Sequence, residues 1–346
     1  MNTRVGFGIV GCGRISQIAH LPAAVKADGV EVVAVCDANP HLAQEVGRRW
    51  GVKGVFSELH DLLAEPSVEA VLIAVPDRFH LDIATRCLEA GRHVLVEKPM
   101  ASSSAECAEL ELQVARTGLK CQVGAMRRHD PGIQFAREFI RAEVGEILSF
   151  SAWYGVSSLR PAMERTLFPP LVVDQQERER EAGFKQDRLR YLLMTHGTHL
   201  FDEIAYLIGD AAQLDARLST RGDDYSWQGL WQLADGTCGR FELSVNVHRD
   251  WSEGFVVNGT AGSLRLSTDF PFFLRASDVS AFVERDGIWR RPMFGDTNPY
   301  ERQIEAFARA IRDGSRTDPD AAAGSAAVRA VEAVGRSVNG NLQALR

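Results

Sequence analysis

Apolar positions come in two patterns along the chain. Up to about residue 122 they form short unbroken runs: "RVGFGIVG", "VEVVAVCD", "AVLIAVP", "HVLVEKP" and "KCQVGAM". Such runs suit strands buried on both faces. Between them lie helical stretches, "GRISQIAHLPAAVKA", "HLAQEVGRRWG", "DIATRCLEAG" and "SAECAELELQVARTG". Gly51 and Gly91 are stop signals, and Ser103 with Glu106 has capping-box spacing. Alternating strand and helix predicts a parallel sheet with helices on both faces, an α/β domain over residues 1–122.

From about residue 145 the period changes to two. "GEILSFSAWYGVSS", "SWQGLWQLADGTCGRFELSVNVH", "EGFVVNGTAGSLRLST" and "FFLRAS" are expected strands, with a hairpin turn at Asp235-Gly236 and a looser one at "NGTAG". They predict a mainly antiparallel sheet, an α+β domain over residues 123–346. One helix, "LLMTHGTHLFDEI", interrupts the strands, and the alanine-rich tail from Tyr300 is expected to be helical. Residues 159–190 begin with prolines and turn charged ("DQQERERE"), which predicts an exposed loop or lid. There is no internal repeat.

Composition narrows the class. The chain has 346 residues, enough for two domains, and is 45% hydrophobic and 25% charged. A net charge of −7 disfavours a nucleic-acid partner. No apolar run reaches the ~18 residues of a membrane span, and the N-terminus lacks a signal peptide's pattern. Six scattered cysteines with no CxxC pair are expected to be reduced thiols in a cytoplasmic protein.

Candidate chemistry starts at "IVGCGRIS". Gly11, Gly13 and Ser16 have G-x-G-x-x-small spacing after a strand, and Arg14 and Ile15 open the helix that follows. Gly11 permits the tight turn, Gly13 lets main chain approach a pyrophosphate, and Ser16 allows close helix–strand packing. The helix N-terminus offers free N–H groups to phosphate. Asp37 ends the second strand, where an acid about 20 residues past the loop grips ribose hydroxyls. Its charge would repel a 2′-phosphate, and Ala38 and Asn39 follow it rather than an arginine. The expected cofactor is therefore NAD rather than NADP.

"HVLVEKP" ends at the sheet's carboxyl edge, where open α/β sheets bind ligands. Lys98 there can donate to a substrate oxygen and stabilise alkoxide charge. With "GIVGCGRIS", "VVAVCD", the pattern Pro76…His80…Ala84, "EAGRHVLVEKPMA", "VGAMRRHDPGI" and "GTHLFD", the chain resembles the Gfo/Idh/MocA oxidoreductases. The resemblance implies a doubly wound Rossmann domain followed by a domain on a large open antiparallel sheet. In the family that sheet often carries homo-oligomers, so a dimer or tetramer is expected. It also implies hydride transfer to or from sugars, polyols and related cyclic alcohols. Lys98 falls on the family's catalytic lysine and Glu97 on an acid near the nicotinamide; Val75 and Pro76 are expected at the cofactor's edge, and His80 there or as a capping residue at its helix start. By the same analogy the Lys98–Pro99 peptide is expected to be cis.

The family's D-x-G-x-H-x-x-D pattern aligns with Thr195, Gly197, His199 and Asp202. His199 falls on the catalytic histidine, while Thr195 stands where relatives carry an aspartate. A hydroxyl can hydrogen-bond but brings no charge to orient the imidazole. The departure leaves one alternative open, a non-catalytic dinucleotide-binding sensor; a second, an enzyme for a non-sugar cyclic alcohol or glycoside, would have its difference in residues 159–190. On a helix Thr195, His199, Asp202 and Tyr206 share one face, with Asp202 placed to orient His199 instead. His196 lies on the apolar face with Leu200, Ile204 and Leu207, as a packed or cleft-edge residue. Two histidines supply at most two metal ligands, so no metal site is expected.

Further substrate candidates are Arg127, for which a structural salt bridge is the alternative, and one of Trp153 and Tyr154, which point to opposite faces of their strand. His196 and Asp202 complete the expected substrate contacts. His248, Arg249 and Trp251 form a possible polar–aromatic patch. Lys185, Arg188 and Arg190 are read as a solvated charged face.

Overall fold

The computed structural model describes residues 4–173 and 187–344. It divides into two compact units, each drawn from several segments. The first comprises Met1–Met126, Phe168–Tyr191 and Tyr300–Val328. The second comprises Arg127–Leu167, Leu192–Pro299 and Arg329–Arg346. This differs from a single boundary at residue 122, because the start of the helical tail packs with the first unit.

In the first unit six strands form one parallel sheet: β1 (Val5–Val10), β2 (Val30–Cys36), β3 (Gly54–Phe56), β4 (Ala70–Ile73), β5 (His93–Val96) and β6 (Cys121–Val123). Their order is β3-β2-β1-β4-β5-β6, so the order reverses between β1 and β4, the switch point where such sheets bind ligands. β1 and β4 are buried throughout, as their unbroken apolar runs require. The helices are α1 (Leu21–Ala24), α2 (Pro40–Trp50), α3 (Leu59–Ala64), α4 (His80–Glu89) and α5 (Ser104–Thr117). A π-helical turn, Ser16–His20, precedes α1, just before Pro22, which has no N–H to give. The Asn39 side chain caps α2, and Gly51 ends it in the left-handed conformation. Ser103 caps α5, while Glu106 reaches back to the Ser102 N–H. β3 and α3 are not apparent from the apolar pattern, because a three-residue, half-buried strand carries no periodicity.

The tail joins this unit through α9 (Pro299–Asp313) and the first part of α10 (Ala321–Ala344). Phe307 of α9 is fully buried and meets Phe7 of β1 edge-on at 6.0 Å. Arg312 pairs with Glu69 at 2.9 Å.

The second unit begins with α6 (Pro131–Glu143) and β7 (Ile147–Ser157), followed by α7 (Arg160–Leu167) and most of α8 (Arg188–Leu207). Seven further strands are β8 (Gln213–Arg221), β9 (Asp224–Gln232), β10 (Cys238–Val247), β11 (Ser252–Gly259), β12 (Gly262–Thr268), β13 (Asp278–Val283) and β14 (Ile288–Arg290). They form one eight-stranded sheet, β14-β13-β12-β11-β7-β10-β9-β8. All neighbours run antiparallel except β7 and β10. Phe201 of α8 packs on Trp231 and Phe241, at 5.8 and 5.2 Å, so the helix covers one face. Phe150, Ala152 and Tyr154 of β7 are buried, with the period of two that a half-covered sheet demands.

Three sequence expectations change here. "FFLRAS" is not a strand: Leu274 has φ +54°, and the strand starts at Asp278. β8 was not anticipated, since mainly exposed polar and charged residues hide its alternation. Residues 159–190 are not simply a loop, since they contain α7 and the start of α8. Lys185 and the rest of 174–186 lie outside the described residues. No helix among the described residues is long and apolar enough to cross a membrane.

Candidate active site

The dinucleotide-binding features lie in the first unit. Gly11 has φ +94°, and a Cβ there would come within 2.5 Å of the Ala74 carbonyl oxygen. Only glycine fits both constraints. A Cβ on Gly13 would meet nothing within 4 Å, so main chain is open to a close-lying group. Ser16 donates to the Gly11 carbonyl, which holds the turn. Arg14 is exposed and Ile15 half-buried at the helix start. The Asp37 carboxylate accepts from the Cys12 N–H at 2.8 Å and the Asn39 N–H at 2.9 Å. A half-buried acid is thereby fixed beside the glycine loop. These features fit a dinucleotide. Burial pushes the neighbouring Cys36 thiol up to about 12, which leaves it unreactive.

Lys98 follows β5 and is half-buried, and its peptide bond to Pro99 is cis. Glu97 is buried. Its Oε1 meets His20 Nε2 at 2.8 Å, and its Oε2 accepts the Lys98 N–H at 3.0 Å. Burial disfavours the Glu97 charge, yet the His20 hydrogen bond and the charges of His20 and Lys98 hold it below the usual carboxylate range. Val75 and Pro76, just past β4, are half-buried. His80 departs from its expected cofactor contact. It is 1% exposed, and both ring nitrogens face main-chain carbonyls, those of Pro99 and Val75.

In the second unit α8 carries the histidines. Between Leu192 and Ile204 only Thr195 and His199 are half-exposed, while the others are buried. They are four apart, so one accessible stripe of the helix holds both. Tyr154 lies parallel to the His199 ring, centroids 5.8 Å apart and planes 11° from parallel. His196 is buried against the same tyrosine at 5.9 Å, a packed position that differs from the substrate contact expected of it. Tyr154 is therefore the aromatic residue beside the histidines. Trp153 points to the other face of β7 and donates to Ser252 Oγ, which removes it from their neighbourhood.

Two further expectations are corrected. Asp202 receives a bidentate pair from Arg128, at 2.9 and 2.7 Å, with both side chains buried. Both of its carboxylate oxygens accept from the guanidinium, so it is part of a buried ion pair rather than an open substrate contact. Arg127 is 3% exposed and pairs at 2.8 Å with Glu253, the structural alternative to a substrate contact. Trp251 is buried, donates to Glu253 and meets Tyr154 edge-on. His248 stays exposed beside Asp224, so the anticipated patch does not form. Arg190 is exposed and donates to the Ser102 carbonyl.

The sequence reading missed Glu203 and Glu253. Burial, then the charge of Glu253, pushes Glu203 well above the usual carboxylate range. Burial also raises Glu253, although Arg127 opposes it. A shift in that direction favours the protonated form of Glu203. A carboxyl raised on folding stabilises fully below its unfolded value, and that contribution is lost as pH rises through the folded value. Glu203→Gln keeps the neutral form at every pH. Its melting temperature should match the parent near pH 4 and exceed it by a margin that grows with pH, reaching several degrees at pH 8. Parallel melting curves at both pH values test this; a constant offset would contradict it.

A doubly wound sheet with a dinucleotide loop, joined to an open-sheet domain bearing a histidine helix, defines a nicotinamide-type oxidoreductase scaffold. The chain belongs to the Gfo/Idh/MocA family. Residues 5–125 match its oxidoreductase, NAD-binding Rossmann-fold model, and residues 133–265 its C-terminal domain. Inositol 2-dehydrogenase of Rhizobium meliloti is 27% identical, covering 96% of this chain and 97% of the relative. D-xylose 1-dehydrogenase (NADP(+)) 2 of Haloferax volcanii is 25% identical over 95% of each. Levoglucosan dehydrogenase in complex with NADH and levoglucosan superposes with a TM-score of 0.80 at 22% identity, covering 97% of this chain and 98% of that one.

Proposed function

We propose that the protein is an NAD(H)-dependent oxidoreductase acting on the carbinol or ketone of a sugar, polyol or sugar acid. The observation that carries this is Lys98, half-buried at the carboxyl end of the sheet, in the same unit as a glycine loop with an acid fixed beside it. The bound nicotinamide supplies hydride acceptance or donation at a substrate carbon. Gly11, Gly13, Arg14 and Ile15 would hold the pyrophosphate, and Asp37 the ribose. Val75, Pro76, Glu97 and Lys98 would border the ring.

During alcohol oxidation an imidazole nitrogen of His199 takes the hydroxyl proton, and Lys98 Nζ donates to the same oxygen as its charge develops. Thr195 contributes a hydroxyl on the same accessible stripe. The Tyr154 ring lies parallel beside His199 and would restrict its rotation. The protein is proposed to be a cytoplasmic homo-oligomer, a dimer or tetramer assembled through the open sheet.

A panel of sugars, polyols and sugar acids, assayed with NAD by absorbance of the reduced nicotinamide, tests the function. Silence over a broad panel with tight NADH binding would favour the sensor alternative, whose motivation is Thr195. The NAD preference rests on Asp37. Asp37→Ser should weaken NADH about ten- to a hundred-fold, the worth of charge-assisted bonds to ribose hydroxyls, and leave NADPH unchanged or improved. Equal loss of both cofactors in a fluorescence titration would contradict it.

A further inference from the structure

His80 opens α4 and is shut away from solvent. Its Nδ1 lies 2.8 Å from the Pro99 carbonyl oxygen and its Nε2 2.9 Å from that of Val75. A carbonyl has no proton to give. A neutral imidazole has one N–H, so it would satisfy one carbonyl and press a lone pair against the other. Only the imidazolium donates to both. Burial pushes the proton off this ring and tips its affinity below the ordinary value, against the pull of the two carbonyls and of Asp77 and Glu97. The geometry argues the other way. Charge-assisted bonds are roughly twice as strong as neutral ones, and a lone-pair clash in a closed site has nothing to relieve it.

The contacts lie on the main chain that bears Lys98. Pro99 follows Lys98, and Val75 follows β4, the next strand in the sheet. On the other side the Lys98 N–H is taken by Glu97, itself backed by His20. The N–H of Lys98 and the C=O of Pro99 are thus each held by a buried ionisable side chain, one acidic and one basic.

We propose that His80 is a positioning residue that carries both ring protons and ties the Val75 and Pro99 carbonyls together, fixing the main chain from which Lys98 projects. Its effect on turnover rests on the role given above to Lys98; its protonation does not. The groups that set its charge are Asp77, immediately before α4, and Glu97, after β5.

The first test is nitrogen NMR of the full chain labelled in its histidines, with His80→Phe identifying the signals. Both His80 ring nitrogens should remain protonated at a pH where solvent-exposed histidines have already lost a proton. One bare nitrogen at that pH overturns the proposal. The second test is kinetic. His80→Phe should lower kcat about 100-fold, the cost of a small misplacement of a reacting group, with NADH binding retained, and His80→Gln should recover part of the loss. Full kcat in His80→Phe overturns the positioning role. If Lys98→Met also turns over normally, it is the role of Lys98 that fails, and the NMR result still decides the charge. If His80→Phe does not fold, the other histidines are assigned one at a time and the wild-type spectrum decides.

Discussion

Lys98→Met should lower turnover by about a hundred- to ten-thousand-fold, the range that positioned proton-transfer groups supply. NADH affinity should remain close to wild type. Methionine keeps the length and apolar stem of lysine and removes the charge, so a fall in kcat reports the lost donor rather than a lost fold. The main chain at this position is held independently of the lysine side chain: Glu97 accepts the Lys98 N–H, and His20 backs Glu97. The loss should appear in kcat and kcat/KM together, the mark of an interaction made in the transition state. Near-normal turnover on any substrate found in the panel would refute the assignment. His199→Asn gives an independent comparison, since His199 sits on a separate element, with its ring parallel to that of Tyr154.

The contrast between these residues shows what a linear sequence discloses. The glycine loop was legible because its spacing encodes main-chain geometry: Gly11 is where φ is positive and a Cβ would strike Ala74. Lys98 was legible because a strand end in an open parallel sheet is a ligand position whatever surrounds it. Partner choice was not legible. Helical spacing set Asp202 near His199, but it could not say that Arg128, on a segment 74 residues earlier, would take both carboxylate oxygens. Strand alternation put Trp153 and Tyr154 on opposite faces without saying which faced inward; the register of the whole sheet decides that. Glu203 and Glu253 read as ordinary surface acids. Glu203 is buried on α8 and Glu253 on β11 beside β7, and no local pattern records either. Thr195 stands where relatives carry a carboxylate, and the ring that lies parallel to His199 comes from β7, in Tyr154, which no helical spacing could disclose.

Arg127→Met should cost about 3–5 kcal/mol of stability near pH 8, because it removes one partner of a buried ion pair and the other must then take up a proton to stay buried. Arg127 and Glu253 are 3% and 2% exposed, and Trp251 and Glu203 crowd the same site. Without the guanidinium, burial and mutual repulsion push Glu253 further up, so both carboxyls hold protons when folded. Stability from carboxyls raised on folding is lost as pH rises through their folded values. The variant should therefore lie nearer wild type at pH 5 than at pH 8. Arg127→Met combined with Glu253→Gln should recover part of the loss, since no unpaired charge remains at residue 253, and the coupling should exceed the few tenths of a kcal/mol expected of distant sites. Denaturant titration of the four proteins at the two pH values measures all of this. A different pattern, with stability intact and KM for substrate raised, would return Arg127 to the substrate contact that its sequence position first suggested. The buried pair makes the stability result the expected one, because a guanidinium already bound to Glu253 and the Asp269 carbonyl must break those bonds before it can receive a ligand.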